Sequence, residues 1–375
     1  MDHHRRRFFL EYAQRELCPM VEAAGARPVL ALPLPEGLFG EDWAGEAEEL
    51  LRRAGEDCRR TGGGVELCAQ LPAGGFLMEP YGELPFAQGV AHYSSAAGFA
   101  KKHGADSVLI HRAGSLLQGR AGVLGARTAG LPVYVTMEIA GEGEDLLRGG
   151  SILSAFVTLQ ELGIGAFGFY SAVAGILLEP LEIIAPYPRV PVLAITRDLT
   201  GGLAEPETRE LFASRARALA ARGAVWQGAW GAGAEAEAAV RALAEAPGRA
   251  VPRVDYRAKE EIWAAGEKQV FYLDGNIEFS QPVLCQVDMA DEIIQAEREG
   301  EEVLCVQLET ADDGYNVSLN NAQLTMMPAA FCADDEDALD SGLFFYNGRG
   351  IVDSRSLIPE ERLKEIAARY GAVVV

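Results

Sequence analysis

Positive charge is scarce in this chain. Its 375 residues include 33 Lys and Arg against 55 Asp and Glu, a formal net charge of −22. That balance argues against nucleic acid as a partner, because neutralising phosphates needs clustered Lys and Arg, and it disfavours an anionic membrane surface. Long apolar runs are missing as well. The opening "MDHHRRRFFLEYAQREL" has a basic cluster, but no stretch follows that is long enough for a signal peptide or a transmembrane helix, so a cytoplasmic location is expected. The six cysteines, Cys18, Cys58, Cys68, Cys285, Cys305 and Cys332, include no CxxC pair. Cys68, Cys305 and Cys332 stand in strand-like runs, which points to buried thiols over disulfides or a metal site. The acidic "CADDEDALDSG" has neither the regular oxygen spacing nor the turn glycine of a calcium loop. It reads as a solvated helix N-terminus, where carboxylates complement the helix dipole.

With 49% hydrophobic and 23% charged residues, the composition is that of a globular protein able to bury a sizeable core. The length exceeds one average domain, and a single α/β barrel uses roughly 250 residues; two domains are expected. From residue 28 to 246, short apolar runs alternate with helical patterns, the signature of repeated βα units around a parallel sheet. Seven strands are predicted: "PVLAL" at 28, "VELCAQL" at 65, "SVLIH" at 107, "PVYVTM" at 132, "AFGFY" at 166, "PVLAIT" at 191 and "AVWQ" at 224. Helices between them show apolar spacing near 3.6, as in Ile152, Phe156, Leu159 and Leu162, or Val90, Tyr93, Ala97 and Ala100. Gly104 and Gly223 stand where a helix would end in a left-handed residue. An opening helix carrying Phe8, Phe9, Tyr12 and Leu17 precedes the seven strands. The expected fold is therefore α/β, a TIM-type (β/α)8-like barrel without a regular first strand, over residues 1–248. Pro247, Gly248 and Pro252 mark a linker. Residues 255–375 form a smaller α/β domain with strands "QVFYL", "EVLCVQL", "PAAFCA", "GIVDS" and "AVVV" and helices such as "DEIIQAERE" and "PEERLKEIAARYG".

Two segments carry a family resemblance. "ILSAFVTLQELGIGAFGFYS", "PVLAITRDL" and "ARALAARGAVWQGAWGAGAEAEAAVRALAEA" resemble the last three βα units of the homocysteine S-methyltransferase family. The upstream "FLMEPYGELPFAQGVAHYSSAAGFAKKHGADSVLIHRAGSLLQGRAGVLGARTAGLPVYVTM" is similar to its middle units. The resemblance implies a barrel in which zinc, held by three cysteine thiolates, lowers the pKa of a homocysteine thiol so that its thiolate takes a methyl group. At the matching positions this chain has Tyr170-Ser171 and Gln227-Gly228-Ala229-Trp230-Gly231. Ser171, Ala229 and Trp230 replace the three ligands, so neither zinc nor another cofactor is expected. The family's first strand, with the loop that helps hold homocysteine, has no visible counterpart ahead of residue 28, and the acidic residue after its fourth strand is His111. The stretch "AAFCADDEDALDSGLFFYNGRGIVDS" is similar to the opening half of the pterin-binding barrel of cobalamin-dependent methionine synthases. About five strands fit there, too few for a complete barrel.

In a barrel, residues at the C-terminal strand ends line one mouth. Here they would be His111, Arg112, Glu138, Tyr170, Ser171, Arg197, Asp198, Gln227 and Trp230. One reading is a pocket for a small anionic or aromatic ligand, with Arg112 or Arg197 pairing a carboxylate and Trp230 as a flat apolar wall. The plainer reading makes His111 a hydrogen-bonded strand-end residue, Ser171 a turn former, Arg197 and Asp198 a mutual ion pair, and Trp230 a plug. His3, His4 and Arg5 to Arg7 read as a frayed, solvated terminus, and the acidic runs at 42–49 and 334–337 as solvated helix faces. Two functions follow. The chain is either a zinc-free binding or scaffold protein, beside a methyltransferase or corrinoid partner that the resemblance implies, or a methyltransferase or other transferase for a different small substrate, with His111 or Glu138 as acid or base. An open mouth favours the enzyme, a Trp230-filled one the scaffold.

Overall fold

The computed structural model describes residues 6–35, 43–61, 64–73, 77–79, 82–141, 145–197, 205–231, 233–245 and 261–375. Two compact units divide the chain: residues 1–148 with 164–254, and residues 149–163 with 255–375. The linker residues Pro247, Gly248 and Pro252 lie outside the described residues, as do His3, His4, Arg5 and Asp198. No helix among the described residues is long and apolar enough to cross a membrane.

The first unit contains a closed barrel of eight parallel strands. They are β1 (Arg7–Glu11), β2 (Arg27–Pro33), β3 (Glu66–Pro72), β4 (Ser107–Ala113), β5 (Val133–Glu138), β6 (Ala166–Ser171), β7 (Val192–Arg197) and β8 (Ala224–Trp230). The seven strands read from the sequence are all present. The helices are α1 (Cys18–Ala23), α2 (Trp43–Arg60), α3 (Phe86–Lys102), α4 (Leu116–Ala126), α5 (Ile152–Glu161), α6 (Leu178–Ile184), α7 (Glu205–Ala221) and α8 (Gly233–Glu245), of which α5 counts with the second unit. On α3 and α5 the residues at 3.6 spacing turn inward: Tyr93, Ala97, Ala100, Ile152, Phe156 and Leu159 are fully buried. Gly104 and Gly223 have φ of +92° and +97°, the left-handed helix ends expected of them.

One expectation is corrected. The barrel has a regular first strand, β1, which pairs with β2 over its whole length and with β8 at Phe8 and Phe9. The helical part of this opening begins only at Tyr12, as a 3-10 turn to Leu17. An apolar run this short, "RFFLE", has no periodicity that separates a strand from a buried helix. The decision falls to packing: Phe8, Phe9 and Leu10 are fully buried between the barrel interior and the outer helices. Arg7 is likewise no part of a solvated terminus. It is 6% exposed, its Nε lies 3.0 Å from a Glu66 carboxylate oxygen, and its guanidinium stacks 4.3 Å from the Trp226 ring.

Glu66 gathers the floor of the barrel. Its Oε1 accepts hydrogen bonds from Ser107 Oγ and Tyr134 Oη, both at 2.7 Å. Above it, Phe9, Tyr134 and Trp226 pack edge to face or tilted, with centroids 5.3–6.2 Å apart, so the interior is a filled core, as in other barrels of this size. On β6, Gly168 has no room for a side chain: a Cβ there would lie 1.8 Å from the Leu193 carbonyl oxygen on β7.

The second unit has an antiparallel hairpin, β9 (Ile262–Ala265) with β10 (Val270–Leu273). A five-stranded parallel sheet runs in sequential order, β11 (Val283–Leu284), β12 (Leu304–Leu308), β13 (Ala329–Ala333), β14 (Ile351–Val352) and β15 (Val373–Val374). Helices α9 (Ala290–Glu299), α10 (Asp313–Asn320), α11 (Glu336–Phe345) and α12 (Glu360–Arg369) connect its strands. Helix α5 joins this unit through Ser151 N, which donates to Glu267 O at 3.1 Å, and a Ser154 hydroxyl bond to Gly266 O. The acidic "ADDEDAL" is a helix start, with Asp335 Oδ1 accepting from Ala338 N at 3.0 Å. All six cysteines are free and buried.

Candidate functional site

Alternation along the strands decides which side chains reach the barrel mouth. On β4, Leu109 and His111 share the inward face; on β5, Tyr134, Thr136 and Glu138; on β6, Ala166 and Tyr170; on β8, Trp226 and Trp230. His111 is buried, and its Nδ1 lies 2.9 Å from Thr136 Oγ1. Its ring packs against Trp230 with centroids 4.4 Å apart and meets Tyr170 edge to face at 4.8 Å. Burial, reinforced by the neighbouring Arg112 cation, pushes its pKa well below 6.5. The imidazole is therefore neutral at physiological pH.

Arg112 reaches the mouth by a local irregularity. The β4–β5 register shifts between Ile110 and Ala113, and Arg112, with φ of 61°, is the one non-glycine residue of positive φ among the described residues. Left-handed backbone costs roughly 1–2 kcal/mol there, and such strain gathers at functional sites. In return the Arg112 N–H donates to Thr136 Oγ1 at 3.2 Å. Its guanidinium lies 5.1 Å from the Tyr170 ring centre and pairs with Glu138 at 2.7 Å.

Trp230 occupies the centre of this group. It is 4% exposed, its centroid is 6.0 Å from that of Tyr170, and its buried Nε1 has no hydrogen-bond partner among the described residues. Arg197 stands exposed at the end of β7, in register with Trp230; its expected partner Asp198 lies outside the described residues. Ser171 forms a turn, its Oγ accepting from Val173 N at 3.0 Å.

Gln227 is a second correction. It lies between the inward Trp226 and Gly228, so it faces out, where its Nε2 donates to Ala216 O on α7 at 2.9 Å. It lines no part of the mouth. Conversely, Thr136 was missed, although it stands two residues before Glu138 on the same face. Glu11 was missed with its strand; its carboxylate accepts from Gly231 N at 3.3 Å, while Gln14 Nε2 donates to Gly231 O at 3.1 Å. These two bonds tie the turn after β8 to the end of β1.

The positions where the resemblance implies zinc offer a hydroxyl already engaged by Val173, the buried methyl of Ala229 and an indole that can only donate. They do not fit the metal. Among the described residues no three His, Cys, Asp or Glu side chains group closely enough to hold one.

Fold and mouth together define an α/β-barrel protein whose axis is closed by three aromatic rings. No family model matches the chain, and no curated protein is similar to it in sequence. Among solved structures it is similar to the metallated homocysteine methyltransferase MmuM from Escherichia coli, at 15% identity over 64% of this chain and 96% of that one, with a TM-score of 0.48. It is also similar to thiamine phosphate pyrophosphorylase from Pyrococcus furiosus, at 14% identity over 65% and 96% with a TM-score of 0.37. A third is 3-hexulose-6-phosphate synthase from Salmonella typhimurium, at 12% identity over 64% and 99%, again with a TM-score of 0.37.

Proposed function

We propose that this chain is a divergent homocysteine-S-methyltransferase-like barrel that no longer activates a thiol through zinc and works as a binding or scaffold protein in methyl-transfer metabolism. The sequence resemblance supplies the metabolic setting, with a methyltransferase or a corrinoid protein as partner. The observation that carries the loss of chemistry is Trp230, buried against His111 and Tyr170 on the barrel axis. The rival transferase reading finds little support in its acid–base candidates: His111 is buried against Trp230 and bonded to Thr136, and Glu138 is paired with Arg112.

Native mass spectrometry of the purified chain, before and after adding zinc and homocysteine, tests this reading. The expected spectrum is unchanged by either addition. A mass increase of one zinc plus one homocysteine, with methylation of the bound thiol on adding a methyl donor, sinks the proposal.

A further inference from the structure

The parallel sheet of the second unit brings two thiols into contact. Strands β12 and β13 pair with Cys305 opposite Ala330 and Gln307 opposite Cys332. Side chains alternate along each strand, so these four share one face of the sheet. The two cysteines meet on the diagonal, with their sulfurs 3.1 Å apart. The residue directly across from Cys305 is an alanine, so no larger side chain stands between them. Both are buried, Cys305 fully and Cys332 at 6% exposure. Cys332 Sγ also lies 3.3 Å from Gln307 Oε1 and 3.4 Å from the Val306 carbonyl oxygen. At the end of β14, Asp353 Oδ2 is 4.0 Å from Cys305 Sγ. Arg355 holds that carboxylate by both oxygens, Nε to Oδ1 at 3.0 Å and Nη2 to Oδ2 at 2.7 Å. With Asp353 so engaged, two sulfurs remain, half the four ligands of a structural zinc.

We propose that Cys305 and Cys332 are an oxidisable dithiol that a small peroxide closes to a reversible disulfide. Closing it takes about 1 Å of approach, from 3.1 Å to a bond length of about 2.0 Å. The Cys332 S–H beside it holds the Cys305 thiol below its ordinary value, and the same contact pushes Cys332 up. The pair therefore loses its first proton from Cys305, and the thiolate is the nucleophile. It attacks one oxygen of the peroxide, the O–O bond breaks, and hydroxide leaves and takes up that first proton to become water. The Cys332 sulfur then attacks the sulfenic sulfur, the S–O bond breaks, and a second water leaves with the Cys332 proton. Two thiols give up two electrons and two protons to one hydrogen peroxide, yielding one disulfide and two waters. Burial selects the oxidant by size, since glutathione disulfide cannot bring its sulfur to a fully buried Cys305. The pair is remote in sequence from Trp230 and stands whether or not the scaffold reading does.

The test is to treat the full chain with hydrogen peroxide, alkylate the remaining thiols in denaturant and map the peptides by mass spectrometry. The expected map shows the peptide of Cys305 joined to that of Cys332 with two hydrogens lost, and dithiothreitol should separate them. Cys68, fully buried in the first unit, should stay alkylable and serves as the internal control. Glutathione disulfide should leave the pair reduced. Cys332→Ser keeps a hydrogen-bond donor beside Cys305 but removes the second sulfur, so oxidation should stop at a Cys305 sulfenic acid that dimedone captures. Cys305→Ala should form neither product. The wild-type map decides even if a variant fails to fold. Six alkylable cysteines after peroxide, a bridge between Cys18 and Cys58 or between two chains in its place, oxidation by glutathione disulfide as fast as by peroxide, or dimedone capture at Cys332 alone would each overturn the assignment.

Discussion

Replacing Trp230 tests whether the barrel mouth is plugged. A buried Trp removes about 150–250 Å² from water, which at about 25 cal/mol per Å² gives an upper figure of about 4–6 kcal/mol. The indole N–H of Trp230 is buried without a partner among the described residues, an offset of about 1–3 kcal/mol. Trp230→Ala should therefore cost about 3 kcal/mol. Trp230→Phe should cost less than about 1.5 kcal/mol, because it keeps most of the packing against His111 and Tyr170 and removes the orphan donor. The assay is urea unfolding read through amide exchange in β4, β6 and β8, since two compact units need not unfold together. The alanine variant also leaves an indole-sized space, so free indole at a hundred times its dissociation constant should restore about 2.7 kcal/mol. If Trp230→Ala costs under about 1 kcal/mol and indole has no effect, the side chain does not fill the mouth and the case for a plugged mouth collapses.

Two further predictions concern the charges of the barrel. Glu66→Ala would strand Arg7 in the floor and should cost about 3–5 kcal/mol, whereas the double change Arg7→Met with Glu66→Leu should be milder than Glu66→Ala alone; urea midpoints decide, and a double change as damaging as the sum refutes the pairing. His111 sets a pH dependence: the unfolded chain takes up a proton near pH 6.5 that the folded chain binds only at far lower pH. Stability from this residue is thus complete above that value and falls as pH drops below it toward the folded-state pKa, by up to about 1.4 kcal/mol per pH unit. His111→Gln should lose that contribution to the slope between pH 7 and pH 5; an unchanged slope would show that His111 is not held neutral.

How far the mouth could be read in advance depended on the type of signal. Strands β2 to β8 announced themselves as β-branched or aromatic runs between glycine-ended helices, and period-two alternation then carried His111, Glu138, Tyr170 and Trp230 to one face. The same alternation turns Gln227 outward; grouping residues by their nearness to a strand end, without counting faces, is what misplaced it. Strand β1 gave no such signal, because its three apolar residues, Phe8, Phe9 and Leu10, are consecutive and all buried, so the run shows no alternation to reveal a period.

The sequence by itself determined the βα order and the residues Ser171, Ala229 and Trp230, none of which is a cysteine. Those are properties of local pattern and residue identity, and they hold however the chain packs. Only the tertiary structure decided that Arg7 belongs to a buried ion pair, that Arg112 takes a left-handed backbone to reach Tyr170 and Glu138, and that Trp230 fills the axis. Each of these depends on which distant strands become neighbours when the barrel closes. A side chain's burial, partner and protonation state are set by those neighbours, which local sequence does not specify.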